Sequence, residues 1–217
     1  MRAIFESGFY YLYLIFIVGM GVYLLIKRKN VLFGLACIIL GSGDAFHLIP
    51  RAIGRYSGTL DNPGTSLAMW LGIGKLVTSV TMTIFYVLLY LFIYNKISKK
   101  RNMYRDITVG VLFASRMVLL CFPQNEWLTN GGDLSWGIYR NIPFVILGVL
   151  VIVLLFKYFR KEKHYSLMWL AVIFSFGFYL PVVLFAAKYS WVGMMMLPKT
   201  ICYIWIGVMG LLDVVKK

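Results

Sequence analysis

The sequence is short of charge and of cysteine. Only 14% of its 217 residues are charged, and it contains three cysteines and two histidines. An ordinary soluble domain has about 25% charged residues, and small disulfide-dependent domains are dense in cysteine. These shortages exclude a water-soluble globule, a disordered tail and a secreted module held by disulfides.

The sequence consists largely of long apolar runs. Apolar residues make up 61% of the chain, and the mean hydropathy is +0.81. A helix needs roughly 20 mostly apolar residues to cross the hydrocarbon core. Seven runs meet this requirement, at about 9–26, 31–50, 67–94, 107–123, 138–157, 166–187 and 190–212. Because they lack the alternation of barrel strands, we predict an all-α fold: one transmembrane bundle of seven spans over residues 1–217.

The placement of basic residues predicts the orientation of this bundle. Fourteen of the 22 lysines and arginines lie after the first, third and fifth runs or in the C-terminal tail. Five lie on the opposite side, namely Arg2, Arg51, Arg55, Arg140 and Lys188. Cytoplasmic loops are enriched in lysine and arginine, so we expect the N-terminus outside and the C-terminus in the cytoplasm. The net charge of +14 then needs no nucleic-acid partner.

Ionisable residues within the runs are the main candidates for function, because they are costly in a membrane. Asp44, His47 and Arg51 share one face of the second run if Pro50 permits. Lys75, Thr78 and Ser79 lie on the third run, and Arg116 lies on the fourth. Lys199 and Tyr203 share a face of the seventh, while Glu126 and Arg140 lie near the outer mouth. Counting along the helices places these groups between mid-membrane and the outer surface.

Charge balance within the spans predicts an anion. The spans contain three basic residues and one acidic residue: Lys75, Arg116 and Lys199 against Asp44. An arginine effectively cannot lose its proton, so the excess predicts a water-filled vestibule or a bound anion. The alternative is a structural ion pair between Asp44 and either Arg116 or Lys75. His47 is also compatible with a hydrogen-bonded packing role, and Arg51, Arg140 and Lys188 with snorkelling towards the interface.

Several enzyme classes lack their motifs. The chain has no nucleophile elbow, P-loop or dinucleotide fingerprint, and Asp44 with His47 lacks the third ligand of a zinc site. The group Ser42, Asp44 and His47 resembles that of heptahelical ceramidase-like hydrolases, but their paired histidines in the last helix are absent. Lys199 is similar in position to the Schiff-base lysine of retinal-binding rhodopsins, but the third run has no carboxylate counterion.

We therefore expect an outward-opening cavity that binds, and transports, a small anionic or zwitterionic compound without a cofactor or metal. Membrane lipids are its other expected partners, and the compact loops favour a bacterial plasma membrane. One alternative is an intramembrane enzyme acting on a lipid headgroup, with His47 as general base oriented by Asp44; another is an accessory protein whose buried charges serve assembly. The expected ligand-binding residues are Asp44, His47, Arg51, Lys75, Thr78, Ser79, Arg116, Glu126, Arg140, Lys199 and Tyr203.

Overall fold

The computed structural model describes residues 2–60, 62–186 and 189–215, and all regular structure in these ranges is helical. Lys188, Lys216 and Lys217, which entered the orientation prediction, lie outside them. The α-helices are α1 (Arg2–Ile26), α2 (Val31–Tyr56), α3 (Thr65–Lys96), α4 (Met103–Leu120), α5 (Leu134–Tyr139), α6 (Ile142–Phe159), α7 (Met168–Phe185) and α8 (Met196–Val215). Short 3-10 turns at Pro123–Asn125 and Ser190–Met195 precede α5 and α8.

Six helical stretches of the described chain are long and apolar enough to cross a membrane. They are Ile4–Ile26, Val31–Tyr56, Thr65–Lys96, Leu134–Phe159, Met168–Phe185 and Trp191–Val215. Each coincides with a predicted span, so a membrane-embedded helical protein is supported. The fourth predicted span corresponds to α4, which is absent from this set and contains Arg105, Asp106 and Arg116.

Two prolines affect their helices differently from what the sequence predicts. We predicted that the second span ends at Pro50, but α2 continues through it to Tyr56. Pro50 has no N–H to donate to the carbonyl of Phe46, and Gly74 of α3 packs directly against that carbonyl. The fifth predicted span is interrupted instead, because Pro143 cannot donate to the carbonyl of Tyr139 and α5 ends there.

Glycines let α2 lie close to both of its neighbours. A methyl group added at Gly41 would lie 2.6 Å from the Ile17 side chain of α1. One added at Gly43 would overlap Thr81 of α3. Gly41 and Gly43 therefore let the neighbouring helices approach closely, which brings polar residues of α1, α2 and α3 together.

The two ends of the bundle differ in charge. We call the end that contains residues 27–30, 96–105 and 157–163 the basic end, and the other the opposite end. At the basic end Asp213 accepts hydrogen bonds from the Lys96 ammonium at 2.6 Å and the Asn30 amide at 2.9 Å. These bonds join the α1–α2 connection, α3 and α8.

Candidate functional site

A buried carboxylate lies between α1 and α2. The Tyr13 hydroxyl donates a hydrogen bond of 2.7 Å to Asp44 Oδ2, and both residues are buried. Because an ionised carboxylate in an apolar interior needs donors, Tyr13 supports Asp44 directly. Sequence analysis missed Tyr13, since a tyrosine in the first span has no feature that separates it from interfacial aromatic residues.

Lys199 of α8 is the cation that interacts with this carboxylate. Lys199 is 3% exposed and interacts electrostatically with Asp44, but no carboxylate oxygen of the described residues lies within 4.0 Å of its ammonium. The nearest partners are soft or aromatic. The ammonium lies 3.4 Å from the Met82 sulfur and 4.6 and 5.5 Å from the ring centres of Tyr179 and Tyr203. Cation–π contacts thus replace an ion pair.

Arg116 of α4 is the most buried cation of the site. It is 1% exposed, because α4 packs against α6 and turns this side chain inward. Its guanidinium carbon lies 4.0 Å from the centre of the Phe144 ring. Nε and Nη1 are buried without a hydrogen-bond partner in the described structure. A buried guanidinium whose Nε and Nη1 carry three unused N–H groups is suited to bind an anionic oxygen.

The interruption between α5 and α6 provides polar groups to the same region. Arg140 lies at this break and donates to the Asn125 side chain at 2.7 Å. The Asn141 amide donates to the Gly137 carbonyl, and its oxygen accepts from the Tyr179 hydroxyl, both at 2.7 Å. Tyr179, also missed by sequence analysis, is thereby held with its ring against Lys199.

His47 and Lys75 lie next to each other across the α2–α3 contact. The backbone of Gly74 packs against that of His47, and His47 Nδ1 is buried without a hydrogen-bond partner. Lys75 is partly buried and forms no ion pair with any described carboxylate. Its electrostatic neighbours are Arg140 and Arg51. Thr78, one turn further, donates at 3.1 Å to the Gly43 carbonyl.

Three candidate residues have local partners elsewhere. Arg51 forms an ion pair of 3.2 Å with Glu6 of α1, a buried residue that sequence analysis did not single out. The Ser79 hydroxyl donates to the Lys75 carbonyl of its own helix at 2.7 Å. Glu126 is exposed and accepts from Thr129 at 3.2 Å within its loop.

Tyr203 completes the group around Lys199. Its hydroxyl lies 3.9 Å from the Met82 sulfur. The resulting arrangement, which we call the cationic site, comprises Asp44, Arg116, Tyr179, Lys199 and Tyr203, whereas the electrostatic neighbours of Lys75 are Arg140 and Arg51. Neither ion pair considered from the sequence, Asp44 with Arg116 or with Lys75, is formed between these described residues. Positive charge therefore exceeds negative charge in a buried region.

The described residues contain no group of three His, Cys, Asp or Glu side chains able to hold a metal ion. Comparison of the chain with protein-family models, curated proteins and solved structures finds no match. The class that fold and site define is accordingly a helical membrane protein with a buried, positively charged polar site.

Proposed function

We propose that this protein binds a small anionic or zwitterionic compound at the cationic site and transports it across the membrane. The observation that supports this most strongly is Arg116, which is 1% exposed and whose Nε and Nη1 have no hydrogen-bond partner among the described residues. Burying an ion without full hydrogen bonding costs several kcal/mol, and the partners of Arg116 in the described structure are the aromatic residues Phe144 and Tyr179. An anion bound to Arg116 would offset this cost, with Lys199 as a second positive charge nearby.

The chemistry of the site favours an oxyanion. Guanidinium groups hold carboxylates and phosphates through parallel hydrogen bonds, whereas lysine acts as a point charge. Phe144, Tyr179 and Tyr203 add aromatic surface around the two cations. Asp44 would then neutralise Lys199 or receive the cationic group of a zwitterion.

We further propose that the chain crosses the membrane seven times, with α4 as the fourth span. α4 has 18 residues, so its length is about 27 Å, close to the hydrocarbon thickness. Its N-terminal turn lies at the basic end, where Arg105 donates to Tyr94. Its last carbonyl, at Leu120, accepts from Trp127 at the opposite end. The helix therefore runs the length of the bundle.

Charge supports a cytoplasmic location of the basic end and an external N-terminus. Twelve lysines and arginines belong to the basic end against three acidic residues, whereas four basic residues lie at the opposite end of the described chain. This asymmetry follows the positive-inside rule. A bacterial plasma membrane remains our proposed location. A membrane-impermeant maleimide should label Ser98→Cys only after permeabilisation and Asn130→Cys in intact cells, in a background without native cysteines; the reverse pattern would refute the orientation.

A solute reaching the cationic site from outside would have to pass the loop of residues 121–133. The Trp127 backbone packs directly on Gly72 of α3, and Arg140 lies 4.6 Å from the Trp127 ring while holding Asn125. We propose that this loop moves to admit the ligand. The outward opening expected from the sequence would then belong to a second conformation.

The enzyme alternative lacks the contact that it needs most. A general base of the His47–Asp44 type requires the carboxylate to orient the imidazole. Here Asp44 accepts from Tyr13, and His47 Nδ1 has no hydrogen bond within the described structure. Binding without covalent chemistry is therefore the function that we propose first.

The test compares Arg116→Gln with Arg105→Gln, which removes the same charge from the same helix outside the site. Thermal unfolding of detergent-purified protein would be measured with succinate, glycine betaine and glycerol 3-phosphate. A ligand at 100 times its dissociation constant adds about 2.7 kcal/mol of stability. We expect one or more compounds to stabilise the wild type and Arg105→Gln but not Arg116→Gln. Stabilisation that survives in Arg116→Gln, or none in the wild type, would refute binding at this site.

Transport is tested separately by uptake of the stabilising compound into proteoliposomes. We expect uptake by the wild type and Arg105→Gln and a loss of at least about tenfold in Arg116→Gln, since removal of a charged hydrogen-bond donor costs about 1.5–3 kcal/mol. Binding without uptake in the wild type would refute transport while leaving the binding site intact.

A further inference from the structure

A cleft of about 560 Å³ opens at the basic end, remote from the cationic site. Its lining comes from the start of α2, the last turns of α3 and the α3–α4 connection. Two partly buried leucines, Leu32 and Leu91, form its apolar part, which we call the floor. The exposed residues Ser98, Lys99, Lys100 and Arg101 form its polar and basic part, which we call the rim, and buried Tyr94 and exposed Asn95 complete the lining.

The chain geometry keeps the three basic residues on this rim. α3 ends at Lys96, and Ser98 adopts a left-handed conformation with φ of 51° that turns the chain out of the helix. Lys99 is anchored 5.1 Å from the centre of the Tyr158 ring. Arg101 has only a long, exposed ion pair of 3.7 Å with Asp106. Lys100 is exposed.

We propose that this cleft binds an anionic phospholipid, with the phosphate held by Lys99, Lys100 and Arg101 and an acyl chain against Leu32 and Leu91. A soluble phosphate would use only the rim, whereas a lipid uses both the basic rim and the apolar floor. The position at the ends of membrane-length helices is the depth at which headgroup and acyl chain meet. Basic residues beside a membrane attract anionic lipids, and the cleft would convert this general attraction into one defined site.

The test measures lipid retention by native mass spectrometry. Protein would be equilibrated in mixed micelles with equal amounts of phosphatidylglycerol and phosphatidylcholine. The triple variant Lys99→Gln, Lys100→Gln, Arg101→Gln removes the rim. The matched control Arg160→Gln, Lys161→Gln, Lys163→Gln removes three charges from another connection at the same end. Each basic residue near an anionic surface contributes roughly fivefold in binding, so we expect the rim variant to lose at least about tenfold in retained phosphatidylglycerol and the control to retain it.

A second variant distinguishes a loss of lipid binding from a folding defect. Asn95 is exposed, and Asn95→Asp places a negative charge in the cleft at almost constant shape. We expect it to lower phosphatidylglycerol retention at least about threefold, with phosphatidylcholine unaffected. Equal losses in rim and control variants, no loss in either, or no phosphatidylglycerol preference in the wild type would overturn the proposal. Displacement of the lipid by millimolar glycerol 3-phosphate would also overturn it, because a soluble phosphate would then suffice.

Discussion

Replacing Arg116 by methionine should stabilise the ligand-free protein. Two buried donor nitrogens of Arg116, Nε and Nη1, lack hydrogen-bond partners in the described structure, and each unsatisfied buried donor atom costs about 1–3 kcal/mol, so removing both relieves roughly 4 kcal/mol at mid-range. The substitution also loses the contact with Phe144 at 4.0 Å, which is worth up to about 2 kcal/mol when desolvated. The expected net gain is about 2 kcal/mol, or roughly 4–8 °C in Tm for a chain of this size.

The assay follows thermal unfolding by tryptophan fluorescence, after native mass spectrometry has shown that no small anion remains bound. Wild type, Arg116→Met and the control Arg105→Met would be compared with and without ligand. We expect Arg116→Met to melt higher than the wild type without ligand and to gain nothing when ligand is added. If Arg116→Met melts several degrees lower in the ligand-free state, the guanidinium stabilises the fold and the reasoning is refuted.

Three further substitutions test how the bundle is held together, each by thermal unfolding. Gly74→Ala places a methyl group 2.8 Å from the His47 backbone and should lower the free energy of unfolding by about 1–3 kcal/mol. The control Gly110→Ala meets nothing within 4 Å and should raise it by about 0.5–1 kcal/mol. Equal effects of the two substitutions would contradict this packing. Tyr13→Phe removes the hydrogen-bond donor of Asp44 and should lower the free energy of unfolding by about 1–3 kcal/mol. The effect of Tyr13→Phe should be smaller when Asp44→Asn is also present; an equal effect in both backgrounds would exclude a charge effect. Glu6→Gln removes the charge shared by two α2 arginines and should cost about 1.5–3 kcal/mol, as for a hydrogen bond to a charged group; no change would show that these ion pairs contribute no net stability.

The helices were predictable because a membrane imposes long apolar runs, but their interruptions depended on neighbours. Pro50 and Pro143 look alike in sequence, yet α2 continues through the first and the chain breaks before the second. At Pro50 the freed carbonyl of Phe46 is covered by Gly74 of another helix. The residues adjacent to Pro50 in the sequence give no indication of this contact.

The sequence predicts which helices carry the ionisable residues, but not the direction in which each residue points around its helix. Asp44, Arg116 and Lys199 converge because unpaired ionisable groups are excluded from lipid. Arg51 turned instead to Glu6, which lies before the predicted start of the first span. Tyr13 and Tyr179 are uncharged, and their roles arise only from the tertiary contacts with Asp44 and Lys199.

If residues 121–133 cover the cationic site as proposed above, that arrangement has a kinetic consequence. With the Trp127 backbone packed on Gly72, a solute would not be captured at the rate of diffusional collision, because it would have to wait for the loop to open. Association would then level off at high solute concentration at the opening rate of the loop. Dissociation would also require the loop to open, so a compound of modest affinity would dissociate slowly enough to remain bound during purification.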